Sequence, residues 1–528
     1  MAVTSIWPIK GRVDKVINYA RNPEKTHDKE RLSELHEIEG VVEYAADEMK
    51  TEKRAYVTCL NLHSEETAAQ ENYIGEIRSQ NDRDAQESGR RKRAFVLTFG
   101  CQQNEADSEK LRGLAKRMGY DLTDRADDAD LIAVNTCAIR EHAEKRALSI
   151  VGQYKHLKEK NPNLVIAVCG CMTAQAHRCE QLKKSYPYVD IVFGTASIHR
   201  FPEFVAGRLG GGKRRFCPAE EKNAVAEGLP IERESDYRAW VSIMYGCNNF
   251  CSYCIVPYVR GRERSRTPEA VCDEVRGLVA KGYREITLLG QNVNSYGKDL
   301  GIGYDFADLL AEMDRIEGDY VLRFMTSHPK DASRKLIDVM ASSRHVAHQF
   351  HLPMQAGSDR ILKRMNRHYD TAQYLATVDY LREKIPDVTL TSDIIVGFPG
   401  ETEEDFAGTL EMLRRVRFDM LYSFIYSPRK GTPAAEMPDQ IPREVQGERF
   451  DRLLALQNGI GAEKNAAEVG QVRRVLCDGV SKNDPALCSG RTDGYKIVFF
   501  AADPADAGKF IDVRIDRADA YALYGTKV

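Results

Sequence analysis

The chain has 528 residues, with 76 lysines and arginines against 79 aspartates and glutamates, and a formal net charge of −3. This balance excludes an argument for a nucleic-acid partner from bulk charge, so only local patches can support one. No run of about 18 apolar residues occurs and the start lacks a signal-peptide core, so we expect a soluble, cytoplasmic protein with no membrane partner. Thirteen cysteines in a reducing compartment favour metal binding over a disulfide framework.

The first 93 residues are strongly polar, and their pattern predicts a helix over Asp28–Met49. Residues 1 to about 65 resemble the start of plasmid-mobilisation relaxases, through Gly11-Arg12-Val13 and Asn22-Pro23-Glu24-Lys25-Thr26. Relaxases also need a histidine cluster for metal, and no His-x-His pair occurs in this sequence. We therefore interpret Tyr19 as a packed aromatic residue and residues 1–93 as a non-catalytic appendage.

Residues 94–210 predict the first α/β domain, because apolar strands alternate there with amphipathic helices. Strands separated by helices indicate a parallel sheet with helices on both faces, a three-layer arrangement. The predicted strands are Phe95–Phe99, Leu131–Asn135, Leu164–Val168 and Val189–Phe193, and the predicted helices are Ser108–Met118 and Glu141–Lys160.

A second β/α series spans residues 233–465 and predicts an open, partial (β/α)6 barrel. Thr267 followed by Pro268 is a favourable helix start, with threonine as the cap and proline at the first position. The six predicted strands are Trp240–Met244, Glu285–Leu289, Val321–Thr326, His348–Leu352, Thr389–Ile395 and Leu421–Tyr426. The predicted helices are Pro268–Lys281, Phe306–Ile316, Ala332–Ser342, Thr371–Lys384 and Glu403–Val416.

Residues 466–528 predict a small all-β domain. Glycine and aspartate turns separate three predicted strands, Val472–Asp478, Lys496–Phe500 and Phe510–Ile515. Four aromatic residues there are candidates for stacking on nucleic-acid bases, or else for the core of the barrel: Tyr495, Phe499, Phe500 and Phe510.

Three cysteines, Cys247, Cys251 and Cys254, follow the first strand of the partial barrel with the spacing CxxxCxxC. Three thiolates are one short of the four that close a structural zinc or iron–sulfur site. A four-iron cluster held by three cysteines keeps one iron open for a substrate or cofactor. The alternative is a zinc site with a distant fourth ligand, Cys272 being nearest; zinc sites usually show a second cysteine pair, and none follows here.

Three more cysteines terminate strands of the first domain, namely Cys101, Cys137 and Cys171. A single buried cysteine is most often a small apolar residue, but three at equivalent strand ends predict a site. Cys169 is a competitor for Cys171, because residues two apart on a strand share a face. We favour Cys171, since it lies past the strand.

The run that follows the first triad places Arg260, Arg262, Arg264 and Arg266 within seven residues. Such a run is usually a solvated basic loop. Beside an anionic cluster and a polynucleotide substrate, it would instead contact phosphates.

The string Gly246–Arg266 resembles the methylthiotransferases of the radical S-adenosylmethionine (radical SAM) superfamily. Three further stretches of that family are present at predicted strand ends: Leu289–Asn292, His351–Ser358 and Thr391–Thr402. The family's third auxiliary cysteine stands in a Gly-Cys-Met context, as Cys171 does. The C-terminal segment resembles a TRAM domain, a small RNA-binding barrel, through Gly490–Lys496 and Gly508–Val513.

The resemblance covers about residues 94–528 and implies two [4Fe–4S] clusters and S-adenosylmethionine. The first cluster, on Cys247, Cys251 and Cys254, would cleave S-adenosylmethionine reductively. The second, on Cys101, Cys137 and Cys171, would carry the sulfur. Contacts to S-adenosylmethionine are implied for six strand-end residues: Gly290, Gln291, Gln355, Ser392, Asp393 and Gly397.

Within this family, Thr136–Ala143 and Tyr258–Arg266 are most similar to the branch that methylthiolates carbon 2 of N(6)-isopentenyladenosine at position 37 of tRNA, beside the anticodon. The other branches modify threonylcarbamoyladenosine in tRNA or an aspartate of a ribosomal protein. A non-catalytic iron–sulfur RNA-binding protein is a further alternative. The implied partners are such a tRNA, an electron donor such as flavodoxin or ferredoxin, and a sulfur donor; we expect a monomer.

Overall fold

The computed structural model describes residues 68–139, 141–217, 225, 227–501 and 503–528, which form three successive domains. Residues 68–528 make up one structural unit. The predicted helix Asp28–Met49, Tyr19 and the relaxase-like strings lie outside the described residues.

The first domain is built on a six-stranded parallel sheet with the strand order β2-β1-β3-β4-β5-β6. Its strands are β1 (Arg93–Thr98), β2 (Asp121–Leu122), β3 (Leu131–Thr136), β4 (Val165–Gly170), β5 (Ile191–Phe193) and β6 (Arg215–Cys217). Its helices are α1 (68–88), α2 (Gln102–Arg117), α3 (Glu141–Lys160), α4 (Ala176–Ser185) and α5 (Phe201–Leu209). Separate apolar cores lie on the two faces of the sheet, with α1, α2 and α5 on one and α3 and α4 on the other. The predicted three-layer architecture is confirmed.

Helix α1 falls in the segment that the sequence assigned to a polar appendage, yet it packs on the first domain. Ile74 and Ile77 are buried in the same apolar core as α2. The Asn81 side-chain amide donates to the Met118 carbonyl at 2.9 Å. The polar composition of residues 1–93 did not indicate this packing, because a helix needs only a narrow apolar stripe to pack against a domain.

The second domain is the predicted partial barrel. Two three-stranded parallel sheets, β7-β10-β11 and β12-β13-β14, are joined by a bridge between Leu322 and Val346. The strands are β7 (Arg238–Ser242), β10 (Glu285–Leu289), β11 (Val321–Phe324), β12 (Gln349–His351), β13 (Thr389–Val396) and β14 (Met420–Ile425), with a short hairpin of β8 (Met244–Tyr245) and β9 (Arg264–Ser265). The helices are α6 (Val256–Arg260), α7 (Pro268–Ala280), α8 (Phe306–Met313), α9 (Arg334–Ser342), α10 (Asp359–Arg364), α11 (Thr371–Lys384), α12 (Glu403–Val416) and α13 (Arg443–Ala466). The Thr267 side chain caps α7 by accepting from the amide of Ala270, as predicted.

The third domain is a closed five-stranded barrel with the order β15-β16-β17-β19-β18. Its strands are β15 (Val472–Val480), β16 (Leu487–Thr492), β17 (Ile497–Ala501), β18 (Phe510–Ala518) and β19 (Ala522–Lys527). Two of the five, β16 and β19, were not predicted. The buried residues of β16 are Cys488, Gly490 and Thr492, which are too small or too polar to give an alternating apolar pattern.

The third domain docks on the N-terminal ends of the partial-barrel strands through Arg323 of β11. Its guanidinium donates to the Glu285 carboxylate at 2.8 Å and to the Thr492 carbonyl at 2.9 Å. The Arg323 and Glu285 side chains are each 3% exposed. The docked domain therefore lies at the opposite end of the strands from the cysteine loop that follows β7.

Replacing Arg323 with methionine should destabilise the chain by about 3 kcal/mol, the lower end for breaking a buried ion pair, because Arg238 remains paired with Glu285 at 3.1 Å. This loss of stability is measured by urea unfolding, with hydrogen exchange of the β16 amides as the readout. Arg474→Met is the matched control, since Arg474 also joins these two domains, through Asp319, but both side chains are at least half exposed. It should cause little change. Equal effects of the two variants would contradict the prediction.

Candidate active site

The CxxxCxxC loop is held by close backbone contacts with the arginine run that follows it. Gly246 has φ 77°, and a Cβ there would lie 1.9 Å from the carbonyl oxygen of Arg262. The Cys247 amide donates to the Gly261 carbonyl at 3.1 Å, and the Cys254 amide donates to the Cys251 carbonyl at 2.9 Å. Only glycine fits position 246, so the turn that starts the loop is fixed by sequence.

All three cysteines of this loop are free thiols that lie largely inside the protein. Burial raises the pKa of Cys247 to about 11 and that of Cys254 to about 12. Arg367, itself buried, donates from Nη1 to the Cys251 sulfur at 3.3 Å. Metal ligation requires thiolates, so a cation beside one sulfur suits an anionic ligand set.

Cys101, Cys137 and Cys171 all lie at one edge of the first sheet. They follow β1, β3 and β4, which are neighbours in the sheet. A Cβ on Gly100, with φ 136°, would lie 2.8 Å from the Cβ of Cys137. The Cys171 amide donates to the Thr136 carbonyl at 2.8 Å. The three cysteine-bearing turns therefore pack directly against one another.

Cys169 and Cys171 have different surroundings, although they are two residues apart. Cys169 is the penultimate residue of β4 and packs in the apolar core under α2 and α5. Cys171 lies beyond the strand, where it packs with Ala138, Ile255 and Val259. Burial raises the pKa of Cys171 to about 12, against the opposing positive charge of Arg260. The side chain that faces the second domain is thus that of Cys171.

Cys272, the fourth ligand of the zinc alternative, packs in a different part of the barrel. It is 1% exposed in α7, within the apolar core that surrounds the strands. Burial, together with the negative charge of Glu312, raises the pKa of Cys272 to about 12.

The six strand-end residues implied for S-adenosylmethionine occupy three kinds of position. Gln291, next to Gly290, accepts from the Gly246 amide in the first cysteine loop and donates to Gln103 in the first turn of α2, two residues after Cys101, at 3.5 Å. Asp393 lies 3.6 Å from His351. The remaining three make internal hydrogen bonds: Gln355 with Asp393 and Ile395 backbone, Ser392 with Leu352 and Met354 backbone, and Gly397 with the Glu401 carboxylate.

Ser392 is completely buried, and its hydroxyl bonds hold the turn after β12.

Sequence reasoning missed the buried side chains that join the first two domains. Gln103 of α2 donates to Ser242 at 2.8 Å, and Lys110 of α2 donates to the Tyr245 hydroxyl at 2.6 Å. These pairs are more than 130 residues apart in sequence, so no local pattern signals them. They fix the cysteine edge of the first sheet over the carboxyl ends of the barrel strands.

The arginine run is for the most part structural. Arg266 pairs with Glu227 and Glu274, and Arg264 donates to the Arg260 carbonyl at 2.9 Å. Only Arg262 is exposed, over the ring of Phe250. The expectation of a phosphate-binding loop therefore holds at most for Arg262, because burial removes the other guanidinium groups from solvent.

The aromatic residues of the third domain divide between core and surface. Phe500 is 1% exposed in the barrel core. Phe499 stacks on Tyr524 with ring centroids 5.5 Å apart, and the guanidinium groups of Arg323 and Arg491 both contact the Tyr495 ring. Phe510 lies under Arg474. Phe499 and Tyr524 are the aromatic pair that remains half-buried on the barrel wall.

Among the described helices, none is long and apolar enough to cross a membrane.

Three family profiles match the chain in the order of its domains. They are Uncharacterized protein family UPF0004 over residues 93–194, Radical SAM superfamily over 241–413 and TRAM domain over 466–528. The second match implies an iron–sulfur cluster and S-adenosylmethionine for the domain that carries CxxxCxxC.

Curated relatives match nearly the whole chain. A protein of Acetivibrio thermocellus is 50% identical over 464 residues, which are 88% of this chain and 97% of that protein. Proteins of Caldicellulosiruptor saccharolyticus (50% identity, 86% of this chain and 97% of that one) and Clostridium botulinum (49%, 82% and 96%) are similarly close. All three are named tRNA-2-methylthio-N(6)-dimethylallyladenosine synthase. About half of the aligned residues are identical, and the alignments cover almost the full length of these relatives. The chain therefore belongs to this synthase family, within the radical SAM superfamily.

Proposed function

We propose that the chain methylthiolates carbon 2 of N(6)-isopentenyladenosine at position 37 of tRNA. The names of its relatives, at about 50% identity over almost their full length, support the reaction and the substrate. The C-terminal TRAM match supports an RNA substrate.

The proposal includes two [4Fe–4S] clusters, one on Cys247, Cys251 and Cys254 and the other on Cys101, Cys137 and Cys171. The observation that carries it is the short helix α6. This helix begins two residues after Cys254 and ends at Arg260, whose Nε donates to the Cys171 sulfur at 3.1 Å. This short helix thus links the loop of the first triad to a sulfur atom of the second.

When bound, the clusters and S-adenosylmethionine supply the radical and the sulfur that an unactivated C–H bond needs. The protein's own residues bind, orient and exclude water. Gln291 forms hydrogen bonds with Gly246 and with Gln103, and so links the first cysteine loop to the start of α2, next to Cys101. Asp393 and Gln291 are the candidate polar contacts to S-adenosylmethionine, along with Gly290, Gln355, Ser392 and Gly397.

The proposed setting is the cytoplasm, where the chain acts as a monomer on tRNA. A flavodoxin or ferredoxin would supply the electrons. Free cysteines throughout residues 68–528, as the structure describes them, are consistent with a reducing compartment.

The test compares two anticodon stem-loops, one with isopentenyladenosine and one with unmodified adenosine at position 37. We expect kcat/KM for the first to exceed that for the second by a factor of at least about 100. A substrate that lacks a hydrophobic group loses about that much in kcat/KM when the enzyme binds the group in an apolar pocket. Mass spectrometry of the methylthio nucleoside measures the product.

A third stem-loop, with threonylcarbamoyladenosine, separates the family branches. Turnover of that substrate alone, or equal turnover of the first two, would contradict the substrate proposal. Reconstituted protein that yields neither 5′-deoxyadenosine nor methylthio product on reduction would indicate an iron–sulfur RNA-binding protein without catalysis.

A further inference from the structure

Each cysteine triad has a buried arginine whose N–H points at one of its sulfur atoms. Arg367 donates to Cys251 at 3.3 Å, and Arg260 donates to Cys171 at 3.1 Å. The two arginines differ in origin. Arg367 comes from the same domain as Cys251, whereas Arg260 extends from the second domain to a cysteine of the first.

The Arg260 side chain is enclosed between the two domains. Its side chain is 4% exposed, and its Nη2 pairs with the Asp107 carboxylate of α2 at 2.9 Å. Asp107 is 2% exposed. Because the ion pair holds one end of the guanidinium, the Nε–H has a fixed direction toward the Cys171 sulfur.

The pair is unusual as a docking contact. A buried ion pair adds little net stability over apolar residues of similar size. The apolar neighbours Ala138, Ile255 and Val259 already bring these surfaces together. A fixed cation at a sulfur atom does something that apolar packing cannot, because it changes the electrostatic potential at the triad.

We propose that Arg260 is a positioning residue that raises the reduction potential of the cluster on Cys101, Cys137 and Cys171, and that Asp107 opposes this effect. The inference rests on the proposed function, which places a cluster on that triad. Reduction adds one negative charge to a cluster. A nearby cation and an N–H to a ligand sulfur both stabilise the reduced form, whereas a carboxylate disfavours it.

The experiment uses full-length chain in which Cys247, Cys251 and Cys254 are alanine, so that one cluster remains. After anaerobic reconstitution, a mediator titration followed by electron paramagnetic resonance gives the midpoint potential, and iron analysis gives the occupancy. We expect Arg260→Gln to weaken the one-electron reduction at least about tenfold, a fall of ~59 mV. Asp107→Asn should shift the midpoint in the opposite direction.

Arg262→Gln is the matched control, because it makes the same charge change two residues away on an exposed side chain. It should leave the midpoint unchanged. A merely structural role for Arg260 would not give shifts of opposite sign in the two partners of one ion pair.

An unchanged midpoint in Arg260→Gln at full iron occupancy, or an equal shift in Arg262→Gln, would overturn the inference. If Arg260→Gln binds no iron, Asp107→Asn decides, and a midpoint that does not rise overturns it. If the parent variant itself binds no iron, the second cluster of the proposed function is wrong and the inference falls with it.

Discussion

Cys251→Ala should abolish reductive cleavage of S-adenosylmethionine. The expected loss is complete, because a three-cysteine site that loses one ligand no longer holds the iron to which S-adenosylmethionine would bind. Arg367 would also keep its buried charge without the sulfur to which it donates. Production of 5′-deoxyadenosine under reducing conditions measures the effect.

Cys272→Ala is the control for this variant, since Cys272 is the nearest other cysteine in sequence and lies in α7, within the barrel core. It should retain cleavage and the full iron content. Stoichiometric zinc and no cleavage in the unsubstituted chain, with loss of that zinc in Cys272→Ala, would instead support a zinc site that uses Cys272.

Cys137→Ala should retain cleavage of S-adenosylmethionine and give no methylthio product. Cys137 lies at the edge of the first sheet, outside the barrel that carries the first triad. Its loss should remove about four of about eight irons, one of two four-iron clusters. Iron analysis, 5′-deoxyadenosine formation and mass spectrometry of the nucleoside are measured on the same preparation.

Cys169→Ala provides the matched comparison, because Cys169 is also a buried cysteine at this end of the sheet. It packs in the core under α2 and α5, so its replacement should leave both activities and the iron content unchanged. Product formation by Cys137→Ala, or its loss in Cys169→Ala at unchanged stability, would show that the ligand assignment is wrong.

The architecture could be predicted where the pattern was strong. The six strands of the partial barrel were all predicted, and the parallel order followed from the helices between them. The family was recognised from short strings at strand ends, and the relatives confirm it. Strands β16 and β19 were missed, since neither has an alternating run of large apolar residues: the buried residues of β16 are small or polar, and those of β19 are the adjacent Ala522 and Leu523.

The site was predicted only in part. Cysteine positions can be read from sequence because spacing and strand ends are local properties. The choice of Cys171 over Cys169 depended on where β4 ends, and the structure puts that end at Gly170. The arginine run was read as one basic loop, whereas Arg260, Arg264 and Arg266 each have a separate buried or half-buried partner.

By itself, the sequence predicted the three domains, their order, two cysteine triads as candidate cluster sites, and the family. These features depend on local periodicity, on spacing and on strings of a few residues. Only the tertiary structure decided which residues meet across domains: Arg260 with Cys171, Gln103 with Ser242, and Arg323 with Thr492. Each of these contacts joins residues that are far apart in sequence, and their hydrogen bonds form only after burial has brought the domains together, so no local pattern can encode them.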